Sequence, residues 1–320
     1  MFRPLSIALA VSAVLATGVR AQAPATPPAD PTLTPVWNLT ADFAAPESAY
    51  YDAASGAVFV SSINGQILEK DGNGYITRLT PDGRVVSAKW VTGLNAPKGL
   101  RSVNGMLWVS DIDEVVGIDI ASGRVASRVK VDGATFLNDL ATAADGTVYV
   151  SDSNLSTIFA VRSGKSSVFV QGADLVEQPN GLLVDGNRLI LGTIGPAPAA
   201  ARGSAPAARG PAPAARNQAG LAPSGHLFAF DLATKQRTQL TSEPVGGIDG
   251  IEPDGQGGLL VTDVLGQRLL HVARGGAVRV LAKFSAGGAD FGYIAARHLA
   301  IVPFLFGNSV AAYDLTASLK

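Results

Sequence analysis

The chain contains no cysteine. Disulfides, thiolate nucleophiles and cysteine-based metal sites are therefore excluded. Histidine is almost as scarce, three in 320 residues, so a histidine-rich metal centre is nearly excluded as well. An excess of charge of either sign is missing too. With 25 Lys and Arg against 26 Asp and Glu, net −1, there is no electrostatic case for nucleic acid or an anionic membrane surface. There is no Gly-x-Ser-x-Gly elbow, which argues against a serine hydrolase. Neither a glycine-rich phosphate loop nor a dinucleotide fingerprint is present. Beyond the amino-terminal stretch, no segment reads as membrane-spanning.

What is present is apolar and turn-rich. Hydrophobic residues make up 47% and glycine counts 36, while only 16% are charged. Strand-type residues come in short bursts between turn signals, which favours an all-β chain. Residues 1–21 read as a secretory signal: Arg3 gives the basic start and Leu5 to Thr17 the apolar run. Val19-Arg20-Ala21 or Ala21-Gln22-Ala23 gives the small-x-small cleavage site. A periplasmic or secreted protein without membrane attachment after cleavage is expected. In such a compartment weak Ca²⁺ sites fill readily. Residues 22–34, rich in Pro and Ala, read as a disordered leader.

From residue 35 to residue 320 one unit repeats. Its clearest copy is Ile248-Asp249-Gly250-Ile251, followed by an Asp254-Gly255 turn and the strand Leu259-Leu260-Val261-Thr262-Asp263. The same pattern follows Glu47, Lys98, Asn138 and Asn180, and more weakly Asp290. These six anchors lie 51, 40, 42, 69 and 41 residues apart by subtraction. A period of ~40–50 residues with several strands per repeat means propeller blades. The long interval holds residues 195–223, a low-complexity Ala/Pro/Gly/Arg stretch read as an insertion loop. A six-bladed β-propeller is therefore predicted. Its last blade lacks an obvious fourth strand, and Val36-Trp37-Asn38-Leu39-Thr40 is expected to supply it, which removes an exposed edge.

Inner strands surround a propeller's axis, so the anchors should converge on a central funnel. All six are polar, and each opens an apolar strand. Carboxylates and carboxamides aimed at one point need a positive charge there. An all-oxygen set selects a hard divalent cation, with Ca²⁺ leading and Mn²⁺, Mg²⁺ or Zn²⁺ as alternatives. Against this, Asn, Asp and Gly are also the common turn residues. Lys98 reads equally as a counter-charge, a substrate contact or a rim residue.

Pro46-Glu47-Ser48, Asn138-Asp139, Pro179-Asn180-Gly181-Leu182 and Ile248-Asp249-Gly250, in this order and spacing, resemble the SMP-30/gluconolactonase (regucalcin-like) family. The pattern is more distantly similar to the paraoxonases. The resemblance covers about residues 40–315 and implies a six-bladed propeller with one divalent metal in its funnel. It implies Glu47, Asn180 and Asp249 as metal ligands, with Asn138 beside the metal or the substrate. It also implies lactone hydrolysis, with Asp249 as the base that activates water. A metal that polarises the carbonyl and a carboxylate that takes the water's proton suffice for an activated ester. The chain departs from the family at Phe136, where sugar lactonases carry Arg, at Leu140, where Gly is usual, and at Ala49, often Pro. Loss of that Arg points away from a polar sugar acid. The rival reading is a non-catalytic NHL-like propeller that binds a protein or a small ligand.

Two further stretches are expected to be structural. Glu69-Lys70-Asp71-Gly72-Asn73-Gly74 resembles the front of an EF-hand loop, but its closing position is Thr80 rather than Glu, and a turn between blade-one strands is expected. His226, His271 and His298 are expected in outer or middle strands, away from any chemistry.

Overall fold

In the computed structural model, residues 31–195 and 224–320 are described. They form six antiparallel sheets of four strands each, arranged as a six-bladed β-propeller. The expected signal and leader (1–34) fall outside this range except for residues 31–34, and of the expected insertion loop (195–223) only Gly195 is described. Blades one to five each take four consecutive strands. Blade six takes the last three strands and closes on Trp37–Leu39, which pairs with Ala312, Ala311 and Val310. The closing strand thus comes from the segment expected to supply it. Among the described residues no helix is long and apolar enough to cross a membrane.

The core is divided among the blade interfaces. In blade one, Ala57 and Phe59 pack towards blade two, while Val58 and Val60 of the same strand pack towards blade six. A strand buried on both faces carries apolar residues without alternation. That explains the continuous runs such as Val58-Phe59-Val60. Outer strands do alternate: Val85 packs inward, and its neighbour Val86 is exposed.

The inner strands of blades one to five begin at Pro46, Pro97, Leu137, Pro179 and Ile248. Each carries a bulge directly after its first residue. Pro46 pairs with Ser62 but Ala49 with Val60, so Glu47 and Ser48 together oppose Ser61. The shift recurs between Pro97 and Leu100, Leu137 and Leu140, Pro179 and Leu182, and Ile248 and Ile251. A bulge re-aims side chains, and here its first residue is the anchor every time. In blades two, four and five its second residue is a glycine lying against the next blade. A Cβ on Gly181 would lie 2.0 Å from the Asp249 carbonyl oxygen, and one on Gly250 2.7 Å from the Phe291 nitrogen. Only glycine permits that approach.

The residue opposite the bulge joins neighbouring blades. Thr262 Oγ1 accepts the Gly250 N–H (2.8 Å) and donates to the Ala289 carbonyl of blade six (3.0 Å). Ser151 Oγ accepts the Asp139 N–H (3.1 Å) and donates to the Asn180 carbonyl of blade four (2.9 Å). Ser110 Oγ donates to the Asn138 carbonyl in the same way. The aspartates that end these second strands hold the entry loops of their own blades. Asp111 accepts the Asn95 and Ala96 N–H groups, Asp152 those of Thr135 and Phe136, and Asp263 that of Gly247.

Candidate functional site

Five anchors sit at the start of the inner strands, Asp290 stands two residues ahead of the sixth and bridges to Ser48, and all six are buried. The face where they lie, called the mouth here, also carries the connections from second to third strands. Those connections start where second strands end, beside the anchors. The stretch 64–73, including the EF-hand-like residues, is one of them, joining strands Ala57–Ser62 and Gly74–Leu79. Gly195 and Ser224, which flank the undescribed stretch, are on this face too: Ile194 N–H donates to Gln178 O, and Gly225 N–H to Gly246 O.

Asn180 and Asp249 are in direct contact. Asn180 Nδ2 donates to Asp249 Oδ1 at 3.2 Å. The carboxamide is thereby oriented, because its oxygen would repel the carboxylate if the group were turned round. Asn180 Oδ1 is left buried without a hydrogen-bond partner, and Glu47 Oε2 is in the same condition. Such orphans are uncommon and costly in a folded protein. Burial pushes the Glu47 carboxyl well above its usual range, and Asp249 pushes it further, while the Lys98 ammonium works the other way. Burial and then Asp290 push Asp249 up to about 8, against the Asn180 hydrogen bond. Lys98 is thus the one cation acting on Glu47, and no cation acts on Asp249. Among the described residues no group of three or more His, Asp or Glu side chains forms a metal site. The candidate set differs in kind, with two carboxylates and two carboxamides.

Lys98 is fully buried, 1% exposed. Its ammonium donates to Ala96 O (2.9 Å) and Ile67 O (3.3 Å) and lies 5.0 Å from the Phe136 ring. Burial lowers it to about 8, and Glu47 and Asp111 resist that fall. Of the three readings open in the sequence, an exposed rim residue is excluded. Phe136, the position where an Arg was missing, contributes an aromatic face beside Lys98. Asn138 donates from Nδ2 to Ser153 Oγ at 3.2 Å.

Asp290 is inward but committed. It accepts from Ser48 Oγ at 2.5 Å and from both terminal nitrogens of Arg101 at 3.2 and 3.4 Å. Arg101, Asp139 and Glu252 have no place in the sequence-derived ring, yet they too place charge in the channel. The available signal was an Arg and a Glu each three residues beyond an anchor, in otherwise apolar strands.

The histidines stand off the ring. His271 lies in the third strand of blade five and meets Asp254 at 2.8 Å. His226 precedes the third strand of blade four. His298 departs from the expected strand position and occupies a left-handed turn with φ of 46°, bonded to the Tyr293 hydroxyl. A surface cavity of about 660 Å³ is lined by Gln239, Leu240, Ser242 and Gly275, at the outer edges of blades four and five rather than at the anchors.

Fold and ring together define a six-bladed propeller with a polar, carboxylate-bearing axial site. No family model and no curated protein matches the chain. Solved structures do. A gluconolactonase of Xanthomonas campestris superposes with a TM-score of 0.60 at 17% identity, covering 90% of this chain and 95% of that one. A chain from a nidogen/laminin complex gives 0.60 at 15%, covering 82% and 91%. An inactive histidine-to-alanine variant of virginiamycin B lyase from Staphylococcus aureus, solved with quinupristin, gives 0.52 at 13%, covering 87% and 98%. At these identities the likeness is one of fold. The chain is gluconolactonase-like in that sense, as the motif resemblance implied.

Proposed function

We propose that the chain is a metal-dependent hydrolase of lactones or similar activated esters. The observation that carries this reading is the pair of orphaned oxygens, Glu47 Oε2 and Asn180 Oδ1, beside the Asp249 carboxylate. Glu47, Asn180 and Asp249 would hold one divalent cation, Ca²⁺ in first place, with Asn138 beside it. The donors are all oxygen, which suits a hard cation. When bound, that cation supplies Lewis acidity for the ester carbonyl. The remaining chemistry belongs to side chains. Asp249 takes the proton of the attacking water, and Asn180, bonded to it, fixes its orientation. Lys98 and Asn138 are the substrate-side members of the ring. The gluconolactonase neighbour supports a small-molecule substrate.

Two neighbours suggest other chemistry. The histidine whose replacement inactivates the lyase lacks a counterpart here, because His226, His271 and His298 all lie outside the ring. A binding propeller is favoured by one observation. Leu68, Leu155, Leu175 and Phe306, all at least 40% exposed, lie on mouth-face connections. The test is a lactone panel with Ca²⁺, Mn²⁺ or Zn²⁺, run on the wild type and on Asp249→Asn. Expected is cation-dependent turnover that falls by about 10²–10⁴ in the variant, the usual worth of a positioned base. Absence of cation-dependent turnover on every lactone would overturn the hydrolase and leave the binder.

A further inference from the structure

Below the anchor ring lies a second charged layer. Tyr50, Arg101 and Glu252 each stand three residues beyond an anchor, Glu47, Lys98 and Asp249. Arg101 belongs to blade two and Glu252 to blade five. In a ring of six these blades are diametrically opposed. Their 3.5 Å contact therefore crosses the axis, and the guanidinium occupies the channel itself. The same guanidinium grips Asp290 of blade six and lies 5.5 Å from the Tyr50 ring of blade one. Its Nη1 also donates to Leu100 O at 2.7 Å. Side-chain exposures are 7% for Arg101, 13% for Glu252 and 1% for Asp290, so water does little of the neutralising. Asp139 of blade three is a third carboxyl acting on Arg101. Its own oxygens accept the Leu182 and Leu140 N–H groups. Against the opposing effect of burial, Asp290, Glu252 and Asp139 hold the guanidinium firmly protonated.

We infer that Arg101 is the resident cation of the lower channel, neutralising Asp290, Glu252 and Asp139 and leaving the channel room for one exchangeable divalent cation, at the mouth. Buried carboxylates this close need a positive partner, and a covalently attached guanidinium cannot be exchanged or chelated. Only the count of one at the mouth rests on the proposed hydrolase site. The role of Arg101 rests on its own contacts.

The test is made on the full chain, by thermal unfolding in EDTA and in Ca²⁺ and by calorimetric titration with Ca²⁺. The wild type is expected to bind one Ca²⁺. Arg101→Met is expected to unfold on the order of 10 °C lower in EDTA, the consequence of an uncompensated buried charge. It should recover in Ca²⁺ with a stoichiometry of two. Arg101→Met combined with Asp290→Asn and Glu252→Gln should regain stability in EDTA and bind one Ca²⁺. If Arg101→Met matches the wild type in EDTA, or shows no gain in Ca²⁺ response, the inference is overturned. Should that variant not fold in EDTA, folding of the triple variant supports the inference and its failure overturns it. A wild type that binds no Ca²⁺ counts against the mouth site, while the EDTA comparison still decides the role of Arg101.

Discussion

At the residue scale, the anchors could be read in the sequence because each is a polar residue at the head of an apolar strand. Their partners could not. Arg101 sits in Leu100-Arg101-Ser102, which reads as an ordinary alternation with an outward Arg. Only closure of the ring brings blade five opposite blade two and turns that Arg inward. Glu252 was hidden for the same reason. Burial pushes its carboxyl up to about 7, with Arg101 opposing the rise and Asp290 adding to it. Below about pH 7 the folded chain therefore holds a proton that an unfolded Glu, near 4.5, releases, and above it Glu252 is the carboxylate that faces Arg101. Stability contributed by that proton is lost as pH rises from about 4.5 through about 7, by roughly 3 kcal/mol. Glu252→Gln should remove this part of the slope, which urea titrations across pH 4.5–8 would reveal as a flatter profile. An unchanged slope would contradict it. Glycines offer a second residue-scale test. Gly181→Ala would drive a methyl group to 2.0 Å from the Asp249 carbonyl oxygen and should cost about 1–3 kcal/mol, the range for overpacking. Gly275→Ala meets nothing within 4 Å and is the control, expected within about 0.5 kcal/mol of wild type. Equal midpoints in denaturant for the two variants would refute the packing argument.

At the scale of the element, the Ser-Asp and Thr-Asp strand endings were visible as a recurring pattern, but not their purpose. A hydroxyl at that position reads as ordinary strand chemistry until the bulge opposite it is known. The bulge leaves one N–H without a ladder partner, and the hydroxyl takes it. Its own proton then goes to the next blade. One side chain thus completes a strand and ties two sheets. Thr262→Val keeps shape and removes both hydrogen bonds, leaving the Gly250 N–H and the Ala289 carbonyl buried without partners. A loss of about 1–3 kcal/mol is expected, since unsatisfied buried groups cost about that each or together when structure relaxes. Chemical denaturation of the variant checks it, and a change below about 0.5 kcal/mol would mean that water replaces the hydroxyl. Blade four shows why the rule is not universal. Gly192 stands at this position because a Cβ there would lie 2.2 Å from Ile248 Cγ2.

At the scale of the whole molecule, the repeat period and the missing fourth strand were enough to specify the ring and its closure. What they lacked was the charge balance along the axis, which depends on blades far apart in sequence. Trp37–Leu39 completes blade six, and Trp37 Nε1 also donates to Pro81 O of blade one at 3.1 Å. A chain lacking residues 1–40 should expose the Ser309–Asp314 edge. Open edges recruit other strands, so a lower melting temperature and concentration-dependent self-association are expected by light scattering. A monomer with the wild-type melting temperature would show that the clasp is dispensable. The clasp also bears on how the protein is made. Residues 37–39 are synthesised before every other strand of the propeller, and their partners, residues 310–312, with the last of them. Until then the propeller is an open arc, and the strand at 37–39 waits unpaired. Contacts of such sequence separation are slow to form. Birth order and assembly order are therefore opposed: the strand synthesised first is the one that must be placed last.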